Sequence, residues 1–121
     1  MPDVDTYLPV VSKLLQRTSE GKIEWKGTYE SSIFICAVEG EFSFEIERTQ
    51  TTRGAWARRF TMKDAAGEEV FVMRAISPTS ETSHENDKRW EMLDDLYERA
   101  RRIALNIDKK VADVSKVLDS M

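Results

Sequence analysis

The chain has 121 residues, 40% of them hydrophobic and 33% charged, with a net charge of −4 and a pI near 5.1. One domain, residues 1–121, fits this length and can bury a core without metal or disulfide staples; the composition is globular, not disordered. Residues 22–76 hold eight basic and nine acidic side chains and residues 87–121 hold eight of each, which excludes the one-sided basic field of non-specific nucleic-acid or anionic-membrane binding. No apolar run approaches the ~20 residues of a membrane span. Met1-Pro2-Asp3-Val4-Asp5 lacks the basic and apolar regions of a signal peptide. With Cys36 the single cysteine, no intramolecular disulfide can form, and the cytoplasm is the expected location.

A first helix is predicted over residues 5–19. Asp5 can cap it, Pro9 falls within the first turn, and Leu8, Val11, Leu14 and Leu15 make one apolar face. Gly21 follows where a helix end often needs a left-handed residue, and Lys22 to Gly27 reads as a short extended connection. Ser32 to Val38 is apolar on both faces, which suits a doubly covered strand. After a Glu39-Gly40 turn, Phe42, Phe44 and Ile46 alternate with Glu41, Ser43, Glu45 and Glu47, a half-buried strand. A polar loop is expected at Thr49–Gly54, a third strand at Ala55–Met62, a turn at Asp64–Gly67 and a fourth strand at Glu69–Ile76. Three short connections in sequence favour an antiparallel meander.

Thr82 and Glu85 have capping-box spacing, which places the start of a long helix there. From that point Trp90, Leu93, Tyr97, Ala100, Ala104, Ile107, Val111, Val114, Leu118 and Met121 recur in alternating steps of three and four, the spacing of one helical face. Leu96, Ile103 and Val117 widen the face. An unbroken helix over residues 85–120 is about 50 Å long at a rise of about 1.5 Å per residue, too long for a small sheet to cover. Asn106 and Asp108 are weak helix formers that cap well, so a break near Asn106 is the alternative. The expected fold is therefore α+β: an N-terminal helix, a four-stranded antiparallel meander and one long C-terminal helix packed on one sheet face. Phe42, Phe44, Ile46, Val70, Val72, Leu93, Leu96, Ala100 and Ile103 form the expected core.

Few residues carry legible chemistry. One histidine and one cysteine all but exclude zinc sites of the usual ligands. Cys36 within an apolar strand and His84 in a polar segment make a poor nucleophile–base pair. Neither a phosphate-binding loop nor a dinucleotide fingerprint is present. Glu41, Glu45 and Glu47 read as a solvated strand face. Asp94, Asp95 and Glu98, with Arg99, Arg101 and Arg102, read as helical ion pairing. Trp25 and Trp90 read as core aromatics whose indole N–H groups need partners. Arg53, Trp56, Arg58 and Arg59 interleave cations with an aromatic, a pattern that can hold a phosphate and stack a base. Trp56 and Arg58 share a strand face with Phe60, while Arg59 points the other way, and the acidic face of the preceding strand offers cross-strand partners.

Leu14-Leu15-Gln16-Arg17-Thr18-Ser19-Glu20-Gly21-Lys22-Ile23-Glu24-Trp25 resembles the opening of a group of small uncharacterised bacterial and phage-borne proteins. Leu93 to Arg102, followed by Ala104 to Asp108, resembles their closing helix. The resemblance covers about 30 residues; it implies the order helix, strands, helix and a bacterial source, and it assigns no activity or functional residue. The expected function is a non-enzymatic protein-interaction module with no cofactor and no metal. It is expected to form a homodimer through Val111, Val114, Leu118 and Met121, with room for another protein partner, no membrane role, and nucleic acid disfavoured by the mixed charge. The alternative is a sensor or scavenger of a nucleotide or other phosphorylated molecule held by Arg53, Trp56, Arg58 and Arg59.

Overall fold

Residues 4–121 are described by the computed structural model, with side chains from Thr6 onward. A 3₁₀ turn, Val4–Tyr7, leads into α1, Leu8–Ser19. Pro9 is accommodated in the first turn of α1, where an N–H would have no intrahelical acceptor anyway. The N-cap is Tyr7, without a side-chain cap, and the Asp5 side chain expected in that role lies outside the described residues. The other end closes as a Schellman motif. Gly21 takes φ +76°, its N–H donates to Thr18 O at 3.1 Å, and Lys22 N–H reaches Arg17 O at 3.0 Å. Only a residue without Cβ takes this left-handed turn at no steric cost.

The turn at Gly21 sends the chain back beneath the helix it has just left. Trp25 is thereby buried, and its indole Nε1 donates to Thr18 Oγ1 at 3.1 Å. Thr18 is buried too, so the hydroxyl supplies the partner that an interior indole requires.

Five antiparallel strands follow, not four: β1 Lys26–Gly27, β2 Ile33–Val38, β3 Phe42–Gln50, β4 Trp56–Lys63 and β5 Glu69–Ile76, paired in chain order. The additional strand falls in the segment read as a connection. Two residues, Lys26 opposite Ile35 and Gly27 opposite Phe34, are too few to show any alternation. The β2–β3 turn holds both Glu39 and Gly40 at positive φ.

Register and burial together define the two faces of the sheet. Phe34 and Cys36, Phe44 and Ile46, Phe60, and Phe71, Met73 and Ala75 are all buried on one face. On β5 the expectation was the opposite parity. Val70 is exposed and Val72 faces outward, because apolar residues occupy both parities of β5 and only its pairing with β4 decides between them. Phe42 and Ile103 are also exposed, at the start of β3 and in the last turn of the second helix.

That helix, α2, spans His84–Ala104, and it crosses all five strands on the buried face with α1 packed alongside. Its N-cap is Ser83, which accepts from Asn86 N–H; Thr82 bonds Asp87 and Thr79 instead. Leu93, Leu96, Tyr97 and Ala100 are the buried face of α2. At Asn106 the backbone flips to φ 52°, ψ 43°, and a separate helix, α3, runs Ile107–Asp119. The described residues therefore form three α-helices, and the C-terminal part is two helices and not one long helix packed on the sheet. The αL conformation of one asparagine, a residue that tolerates it, ends the helix that the apolar periodicity predicted to continue.

The Thr18–Trp25 bond yields a prediction. Thr18→Val keeps the shape and strands the indole N–H, and is expected to lower unfolding stability by about 1–3 kcal/mol. In the Trp25→Phe background the same change should cost clearly less. Equal costs in a urea-unfolding double-mutant cycle would show that the hydroxyl contributes nothing specific through the indole.

Candidate functional site

Of the four residues expected to hold a phosphorylated ligand, the structure carries one into the interior. β4 alternates, so Trp56, Arg58 and Phe60 project to the helix side and Arg59 to the opposite side, as their spacing predicts. Arg58 is only 7% exposed. Its guanidinium lies 4.7 Å from the ring centroids of both Trp90 and Tyr97, donates to Asp94 Oδ1 at 2.9 Å and to Ala57 O at 3.1 Å. The three gripping residues stand at i, i+4 and i+7 of α2, one face of the helix. Asp94 cancels the charge, and the ring faces replace water that a buried cation would otherwise lose.

The other three stand apart. Arg59 crosses to Glu47 on the outer face of the sheet, directly opposite in register. Trp56 is half exposed at the far end of β4, with the Arg48 guanidinium 5.0 Å over its ring. Arg53 is exposed in the β3–β4 loop. The four thus do not converge on a common cradle. Arg48, which the sequence reading did not single out, is the cation that meets Trp56; the signal was its pairing parity, two residues beyond Ile46.

Other chemistry-bearing residues are similarly engaged or isolated. Cys36 is buried in β2, and burial pushes its thiol up to about 12, partly opposed by a hydrogen bond from the Phe44 backbone. His84 opens α2 beside the end of β5, with β3 and β4 between it and the strand carrying Cys36. Glu45 pairs with Lys63 at 3.2 Å. A concavity of about 490 Å³ beside this pair, also lined by Glu24, Lys26, Ile35 and Ser43, has both signs of charge on its walls. Among the described residues, no cluster of three or more His, Cys, Asp or Glu could hold a metal ion, and no helix is long and apolar enough to cross a membrane.

The residues expected to mediate self-association share one surface. Val111, Val114 and Leu118 lie on α3 and Met121 just beyond it; they are 59%, 58%, 63% and 93% exposed, and Val117 beside them is 60% exposed. No residue of α3 is buried. This apolar helix face has no cover from its own sheet.

Two outcomes are expected from this geometry. Arg58→Ala removes a buried cation and opens a gap between Trp90 and Tyr97, and should cost about 3–5 kcal/mol in urea unfolding. Asp94→Asn should cost less, about 1–2 kcal/mol, because Asp94 is more than a third exposed and water screens the pair. For Cys36, the folded protein holds the thiol proton, so this contribution to stability is full below the ordinary thiol range and is lost as pH rises toward about 12. Iodoacetamide at neutral pH should label the native protein far more slowly than the urea-unfolded chain; equal rates would show that the thiol is accessible. No family model matches the chain, nor does any curated protein or solved structure, so the resemblance of its opening and closing stretches gains no support from them.

Proposed function

We propose that the protein is an interaction module that self-associates through α3. The observation that carries this reading is the exposed stripe Val111, Val114, Leu118 and Met121, which no other described element covers. Burying such side chains fully is worth about 1.5–3 kcal/mol each. The exposed remainder of four of them therefore gives several kcal/mol to set against the cost of association.

The sheet edges make poorer association surfaces, which favours the helix by comparison. β1 is only two residues long. On the other edge, Met62 pairs with Phe71 and Lys63 with Glu69, so Val70 is left without a partner as a bulge. At the far end of β5, the Asn86 amide donates to Ile76 O and accepts from Ile76 N–H, both at 3.0 Å. A short strand, a bulge and a side-chain plug are the devices that stop edge-to-edge pairing.

The arginine–aromatic group gives less support to a ligand sensor, since Arg58 and Arg59 already have carboxylate partners. Light scattering at micromolar concentration is expected to give a dimer mass, about twice 14.0 kDa, for wild type. Val114→Asp should weaken the association about tenfold or more, equivalent to about 1.4 kcal/mol or more. A wild-type monomer, or a mass indifferent to Val114→Asp, would defeat the reading.

A further inference from the structure

We infer that the occupant of the α3 stripe is α3 of a second copy, laid antiparallel; this rests on the self-association proposed above and adds the partner and its direction. Three features point to a second copy. The helix carries Asp108, Asp113 and Asp119 against Lys109, Lys110 and Lys116, so two copies meet without net repulsion. Its apolar positions follow the seven-residue rhythm Ile107, Val111, Val114, Leu118, Met121, a spacing that packs against a like helix, with Val117 on the flank. An isologous pair buries the same patch on both subunits and closes at two.

Direction follows from charge. Arg101 and Arg102 end α2, Lys109 and Lys110 begin α3, and between them only Asp108 is acidic, a net +3 over residues 101–110. Residues 111–121 hold Asp113 and Asp119 against Lys116, a net −1. Parallel helices would set the two +3 segments side by side. Antiparallel helices set each +3 segment beside the other copy's acidic end, where the helix C-terminus adds its own partial negative charge. Asp108 and Asp113 are already held weakly within the chain, 3.6 Å from Arg102 and 3.7 Å from Lys109. Those exposed pairs contribute little and leave the segment's net charge unchanged. In the antiparallel seam Ile107 faces Leu118 of the second copy, and Val111 faces its Val114.

Cysteine cross-linking tests the direction apart from the association itself. Cys36 is buried with a raised pKa, so an introduced thiol on α3 reports alone. Leu118→Cys protein mixed with Ile107→Cys protein under mild oxidation is expected to form the mixed disulfide about tenfold or more faster than either protein links to itself. In the antiparallel pair each residue and its own twin are about 16 Å apart along the axis, eleven residues at about 1.5 Å each, beyond disulfide reach. Faster self-linking of Leu118→Cys would show a parallel pair, and failure of the mixture to link would remove the seam; either overturns the inference. Both results differ from failure of the underlying reading, which shows as a wild-type monomer by light scattering before any cysteine is introduced.

Discussion

A single buried cation fixes how α2 sits on the sheet. Arg58 leaves β4 and enters the layer between sheet and α2, where Trp90, Asp94 and Tyr97 close on it. A guanidinium so buried is costly unless it is paired and its planar faces are covered. The three residues that meet this need lie along one helix face, so satisfying the charge also fixes the rotation and height of α2. Tyr97 in turn packs against Phe34 on β2, which carries the constraint across the sheet. Purely apolar packing would tolerate small rotations of α2; an ion pair held between two rings tolerates far fewer.

The apolar surface divides unevenly around this junction. Before the bend, α2 buries Leu93, Leu96, Tyr97 and Ala100. After it, α3 continues the same rhythm of side chains and buries none. Both sheet edges are blunted, by brevity on one side and by a bulge and the Asn86 amide on the other. The molecule thus shields the backbone groups that invite indiscriminate pairing and leaves open one helical stripe whose geometry limits what can sit on it.

Much of this was legible in the residues, for identifiable reasons. The four longer strands, the helix ends at Gly21 and the outward carboxylate face of β3 each rest on a local rule: alternation, left-handed tolerance, or charge opposite charge. Strand alternation puts Trp56, Arg58 and Phe60 on one face, but it does not mark that face as the interior, because the two rings and the carboxylate that close on the arginine lie more than thirty positions away. β1 was missed because two residues carry no period. On β5, apolar side chains at both parities left the inward face undetermined until its pairing with β4 fixed it. The break at Asn106 had only a weak signal, two poor helix formers without glycine or proline, set against a periodicity that passes through undisturbed. Periodicity reports which side chains share a face; it does not report whether the backbone between them turns.

The bend itself places the free helix. α3 is about 20 Å long at about 1.5 Å per residue, and its heading relative to the body is set largely by the φ and ψ of Asn106. The lever is long and its pivot is a single residue, so a change of a few tens of degrees there sweeps the far tip through many ångströms. The heading of the exposed stripe is therefore written mainly at one asparagine, and substitution there would swing the stripe while leaving the core untouched.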